Sequence, residues 1–149
     1  MSQPLEIRTE ARLENLGGLR EFAVRACLGC GGDQKTCGLV ELAVDEALTN
    51  IVLHGYEGRP PGPIVMTVAC DEGELVVTIA DFGLSFSPVN APPPDLEADW
   101  EDRRIGGLGA HLIRTAMDEV QYDSDPQTGN TLTLRKQLKP KAPPDGKAG

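Results

Sequence analysis

Residues 64–80 read IVMTVACDEGELVVTIA. Residues 64–69 and 75–80 are β-branched runs, and DEGE sits between them. Two such runs joined by a short glycine-containing turn predict a β-hairpin. A second unit of the same kind lies downstream, where residues 120–123 and 131–138 flank DPQTGN. Upstream, residues 5–11 alternate well enough for a first strand. Two hairpins imply mainly antiparallel pairing, and they leave any helices to cover one face.

Those helices show in the apolar spacing. Leu16, Leu19, Phe22, Ala23 and Ala26 recur at helical intervals, predicting a helix over about 13–28 that Gly29, Gly31 and Gly32 end. Asp33 is the expected N-cap of a second helix running to about Gly55. A third is expected over 108–120. The order is strand, helix, helix, hairpin, long connection, helix, hairpin. That order predicts an α+β two-layer sandwich with a mainly antiparallel, mixed sheet. It excludes a doubly wound fold, because strands and helices do not alternate. Residues 1–138 form the expected domain. Residues 85–104, rich in prolines and acids and holding the single Trp, are expected to be a lid. Residues 139–149 are expected to be a disordered tail.

The formal net charge is −9. This argues against a nucleic-acid binder working through a basic surface. It leaves a nucleotide ligand open, since backbone N–H groups and a metal ion can hold phosphates. The N-terminal MSQPLEIRTE lacks the regions of a signal peptide, and no apolar run approaches a membrane span. The expectation is a cytoplasmic protein with no membrane partner. Cys27, Cys30 and Cys37 form C-x2-C-x6-C without the second pair that a structural zinc site needs, and Cys70 ends an apolar run. Reduced thiols or small core residues are expected ahead of a metal.

The chemistry-bearing residues begin in ELAVDEALTNIVLHGY, residues 41–56. Val40, Val44, Ala47, Leu48 and Ile51 make the apolar face. Glu46, Asn50 and His54 follow one another at four-residue steps along its border. Glu and Asn one turn apart can hold a hard cation and orient a nucleophile. A solvated helix edge shows the same pattern by chance. Asp81 and Gly83 leave a buried strand, where an Asp can accept from an exocyclic amine and a Gly admits a ligand to the main chain. A plain turn uses the same two residues. RIGGLGA, residues 104–110, opens a helix with uncovered N–H groups, suited to a phosphate or to a hinge. It is neither a Walker A loop nor a dinucleotide fingerprint.

In series, Glu46-x3-Asn50, Asp81-x-Gly83, a lid, GGLG opening a helix and Gly129-Asn130-Thr131 starting a strand resemble the GHKL (Bergerat-fold) ATP-binding family. The resemblance spans about residues 5–138. DEALTNIVLHGYE and GGLGAHLIRTAMDEV look most like the anti-sigma factor serine kinases of that family. The resemblance implies ATP and Mg²⁺ as cofactors. It implies Asn50 as the Mg²⁺ ligand and Glu46 as the general base. Asp81, with Gly83, would read the adenine amine. Gly106, Gly107, Leu108 and Gly109 would form the phosphate loop. Thr131 would support the adenine, Arg20 would face phosphates or a partner, and His54 would close the helix near the site. Implied partners are an anti-sigma-factor antagonist of the STAS type, a sigma factor and a second copy of the chain. The alternative is an ATP/ADP-sensing module that sequesters a partner with little catalysis. One departure stands out: Ser85 occupies the last position of the usual Asp-x-Gly-x-Gly. Pro92, Pro93 and Pro94 would stiffen the lid, and Arg103 and Arg104 precede GGLG.

Overall fold

The computed structural model describes residues 3–85, 87–88 and 109–138. The expected tail and nearly all of the expected lid, with Pro92–Pro94, Arg103 and Arg104, lie outside these residues. Five strands form one sheet: β1 (Leu5–Glu10), β2 (Pro63–Asp71), β3 (Glu74–Asp81), β4 (Glu119–Asp125) and β5 (Gly129–Gln137). The sheet order is β1-β2-β3-β5-β4. All four pairings are antiparallel, so the sheet of described residues has no parallel component. A 3-10 turn (Leu13–Asn15) leads into α1 (Leu16–Gly29), followed by α2 (Gln34–Asn50) and α3 (Gly109–Ala116). This is the expected two-layer sandwich.

Period two decides which strand residues enter the core. In β2 these are Ile64, Met66 and Val68, and in β3 they are Leu75, Val77 and Ile79, all at most 1% exposed. Register places Met66 opposite Ile79, and Ile79 opposite Leu132 of β5. The helices return the same logic at a period of 3.6. Leu19 and Ala23 of α1, Val40, Val44 and Leu48 of α2 and Ile113 of α3 are buried in one continuous cluster with the strand residues. The outer face of the sheet carries charged, polar and β-branched side chains, among them the cross-strand pair Thr67 and Thr78, whose hydroxyls touch.

Local signals set the element ends. Asp33 caps α2 by accepting from Thr36 N at 2.7 Å. The third helix stops at Ala116, short of the expected residue 120. Lys136 Nζ reaches across to the Ala116 carbonyl at 2.8 Å, and β4 begins at Glu119. Between β2 and β3 the two central turn residues both have positive φ, 52° for Glu72 and 82° for Gly73. That is the type I′ turn whose twist matches the strands. Gly73 adopts it freely, whereas Glu72 carries a Cβ penalty. Glu72→Asn creates the preferred Asn-Gly pair. It is expected to raise the unfolding free energy by about 0.5–1 kcal/mol in urea denaturation, and Glu72→Val to lower it by a similar amount. No gain from Asn would contradict the turn assignment.

Candidate functional site

Asp81 ends β3 on the inner face, in phase with Val77 and Ile79, and is 5% exposed. A buried carboxylate needs donors. Gly83 N donates to Asp81 Oδ1 at 2.8 Å and Asn130 Nδ2 donates to the same oxygen at 3.0 Å. Asn130 is the register partner of Asp81 on β5 and is itself buried. Its amide also donates to the Gly83 carbonyl at 2.9 Å, and its Oδ1 accepts from the Ser124 hydroxyl at 2.7 Å. Asp81 Oδ2 makes no hydrogen bond among the described residues and remains for a ligand donor. Burial holds the Asp81 carboxyl above the usual range, against the bonds from Asn130 and Gly83 and the charge of Arg59.

The facing element is the end of α2. Directly after Asn50, residues Ile51–Gly55 form a π-helical turn. The wider turn leaves the Gly55 carbonyl to accept from Leu84 N at 2.6 Å. Gly83 lies so close that a Cβ there would stand 2.4 Å from the Gly55 oxygen. Glycine is therefore required by approach and not by φ. Tyr56 completes the junction: its hydroxyl donates to the Pro63 carbonyl at 2.9 Å and accepts from Phe82 N at 2.8 Å.

Asn50 and Asp81 consequently line one cavity, with Leu84, Ile113, Tyr122 and Leu132 among its walls. Its volume is about 30 Å³, near that of one water, so a purine enters only as a side chain gives way. Leu84, 55% exposed, is the wall with room to swing. The Asn50 amide makes no hydrogen bond among the described residues, which suits an oxygen ligand for a hard cation. Glu46 stands one turn earlier on α2, half-buried and outside the cavity walls. His54 sits in the π-helical turn, half-buried and also outside the walls.

Other expected residues fall elsewhere. Arg20 Nη1 donates to Asp45 Oδ1 at 2.9 Å, across the outer surface of α1 and α2 and away from the cavity walls. Gly109 opens α3 and is buried, whereas Gly106, Gly107 and Leu108 lie outside the described residues. Ser85 is exposed and accepts from the Tyr122 hydroxyl at 3.3 Å. Its φ is not positive, since Glu72 alone among the described non-glycine residues has that geometry. Thr131 requires a correction. It pairs with Ala80 and Asp123 on the outer face of the sheet, so it does not share the face of Asp81. Asn130 does. Counting back in twos from Leu134 and Leu132 would have found it.

The raised Asp81 value sets a pH dependence. A carboxyl whose folded value lies above its unfolded value favours folding most below the unfolded value, and that gain is lost as pH rises through the folded value. At neutral pH the charge of Asp81 therefore costs stability. Asp81→Asn keeps an acceptor for Gly83 N and removes the charge. Thermal unfolding is expected to show a higher Tm than wild type at pH 7 and convergence of the two near pH 3. A lower Tm for the variant at pH 7 would contradict the burial cost.

Residues 9–136 match the histidine kinase-like ATPase domain model. The anti-sigma F factor of Heyndrickxia coagulans is 30% identical over 136 residues, covering 90% of each chain. That of Halalkalibacterium halodurans is 35% identical over 99 residues, 66% of this chain and 68% of the relative. Among solved structures, the RsbU and RsbW domains of a Mycobacterium tuberculosis protein superpose on 92% of this chain with a TM-score of 0.65 at 21% identity. This chain spans 33% of that one. A blue-light activated histidine kinase from Erythrobacter litoralis gives a TM-score of 0.54 at 24% identity, over 72% of this chain and 32% of that one. The structural likenesses carry the fold, and the matched family carries ATP binding with it. By its matched domain and these relatives, the chain belongs to the histidine kinase-like ATPase (GHKL) family, in its anti-sigma factor class.

Proposed function

We propose that the chain is an ATP-dependent protein-serine/threonine kinase of the anti-sigma factor type. Its acceptor is a Ser or Thr on a STAS-type antagonist. It also holds a sigma factor, as a homodimer in the cytoplasm. The observation that carries the reading is the placement of Asn50 and Asp81 on one cavity, with a ligand amide on one wall and an open carboxylate oxygen on the other. The relatives named anti-sigma F factor support the partner class. Among the described residues no helix is long and apolar enough to cross a membrane.

Each residue has a stated task. Asp81 Oδ2 accepts from the adenine amine while Asn130 and Gly83 fix the carboxylate plane. Asn50 would hold Mg²⁺, which offsets phosphate charge when bound. Gly109 with Gly106, Gly107 and Leu108 would present N–H groups to the phosphates at the start of α3. Glu46, beside Asn50 on α2, takes the proton of the attacking hydroxyl. Its retention favours transfer over an ATP/ADP-sensing module that only binds, since binding needs no base.

Calorimetric titration of ATP with and without Mg²⁺, followed by phosphate transfer to a candidate STAS protein, tests the proposal. Asn50→Ala is expected to abolish the Mg²⁺-dependent part of binding. Asp81→Asn is expected to weaken ATP affinity about 10–100-fold through loss of a charged hydrogen bond. Glu46→Ala is expected to keep ATP affinity and to lose about 10²–10⁴-fold in transfer. Wild-type protein that binds no ATP would overturn the reading. Binding without transfer to any candidate would favour the sensing module.

A further inference from the structure

The four cysteines take no part in the nucleotide cavity, and they sort into two pairs with different chemistry. Cys30 closes the C-terminal end of α1, and Cys70 lies near the end of β2. They are disulfide-bonded with Cα atoms 6.2 Å apart, inside the range that a disulfide spans. The sequence, from which reduced thiols or small core residues are expected, does not announce this pairing. Both residues are half-buried, and both line an open groove of about 600 Å³ between α1 and the β1–β2 edge, where oxidants and reductants can reach them.

Cys27 and Cys37 are 0% and 2% exposed. A Cβ added at Gly32 would stand 2.7 Å and 2.8 Å from their two sulfurs, so the pair is packed behind that residue. Burial first, then a hydrogen bond to Cys37, pushes the Cys27 thiol up to about 12. At neutral pH it stays protonated, and a protonated thiol does not attack a disulfide. Scrambling from Cys30 to its i−3 neighbour is thereby suppressed. The fold does not depend on the bond either. The inner face of α1, through Leu16, Leu19 and Ala23, is already anchored in the core.

We infer that Cys30 and Cys70 are a reversible thiol–disulfide switch that staples the end of α1 to β2 when oxidised and releases it when reduced. The oxidant class is a hydroperoxide. One cysteine thiolate attacks the O–O bond, which breaks, and an alcohol or water leaves with a sulfenic acid on that sulfur. The second thiol displaces the sulfenic hydroxyl as water and the S–S bond forms. Two electrons and two protons leave the cysteines in total. In reverse, two molecules of a low-molecular-weight thiol reduce the bond and become a disulfide themselves. Redox-sensing of this kind is the usual role of a disulfide in a reducing compartment.

The test uses the full chain. Protein reduced and exchanged free of reductant is treated with hydrogen peroxide, denatured, blocked with N-ethylmaleimide and weighed. Reduced protein is expected to take four adducts and oxidised protein two, with Cys30–Cys70 recovered as one linked peptide. Cys30→Ser and Cys70→Ala are expected to show no intramolecular bridge. In wild type, reduction is expected to lower Tm by on the order of 5–10 °C, and in both variants to leave it unchanged. Incubation with millimolar glutathione is expected to restore four adducts. A bridge between Cys27 and Cys37, four adducts after peroxide, or a bond that survives glutathione would each overturn the switch. ATP titration of the Cys70→Ala variant separates this outcome from that of the kinase reading, because the groove and the cavity share no residue.

Discussion

The main-chain contact between Gly55 and the Gly83–Leu84 segment holds the site together. It fixes how near the helix bearing Asn50 comes to the strand bearing Asp81. Three features permit it. The π-helical turn leaves a carbonyl to bond with Leu84 N. Gly83 lacks the Cβ that would collide with it. Tyr56 clamps the same corner through Phe82 N and the Pro63 carbonyl. None of these groups needs to touch a ligand. A methyl at Gly83 would force the two elements apart and separate the pair of side chains on which the cavity rests.

A second constraint is electrostatic. Asp81 sits in a place where burial disfavours its charged form, and Asn130, Gly83 and Arg59 reduce that cost without removing it. Asn130 serves because an amide can donate to the carboxylate and to a backbone carbonyl while accepting from Ser124. A hydroxyl side chain has one proton and could not do the same. A buried carboxylate held in one orientation by Gly83 N and Asn130 suits the recognition role proposed for Asp81.

Much of this was legible in the residues. The β-branched runs on either side of DEGE locate the central hairpin, and the helical spacing of Leu16, Leu19 and Ala23 locates α1. Asp33 announces the start of α2. The pattern of Asn50 and Asp81 survives into one cavity. What escaped has physical reasons. A π-helical turn has no composition of its own, so the end of α2 reads as more α-helix. The face of Thr131 follows from register, and the threonine in GNT draws attention from the asparagine beside it. The pairing of Cys30 with Cys70 joins residues separated by 40 positions, and no local pattern encodes such a contact.

The fold sets the redox pair and the cavity at opposite ends of the same strands. Ile64 at the start of β2 pairs with Asp81, whereas Cys70 near its end pairs with Leu75, roughly 20 Å away at strand rise. One route for coupling between them runs through α1, which lines the groove, and α2, which packs against α1 and lines the cavity. The visible link on their surface is the Arg20–Asp45 ion pair, next in sequence to Glu46. With its side chains 39% and 33% exposed it is worth about 0–1 kcal/mol, too little to move a helix. The buried contacts beneath it are stronger carriers. Leu19 and Ala23 pack with Val40, Val44 and Leu48 at no more than 1% exposure, and a shift of α1 there changes dispersion and cavity terms of several kcal/mol. A signal from the cysteines would therefore reach Glu46 as a change in core packing and not as a change in surface charge.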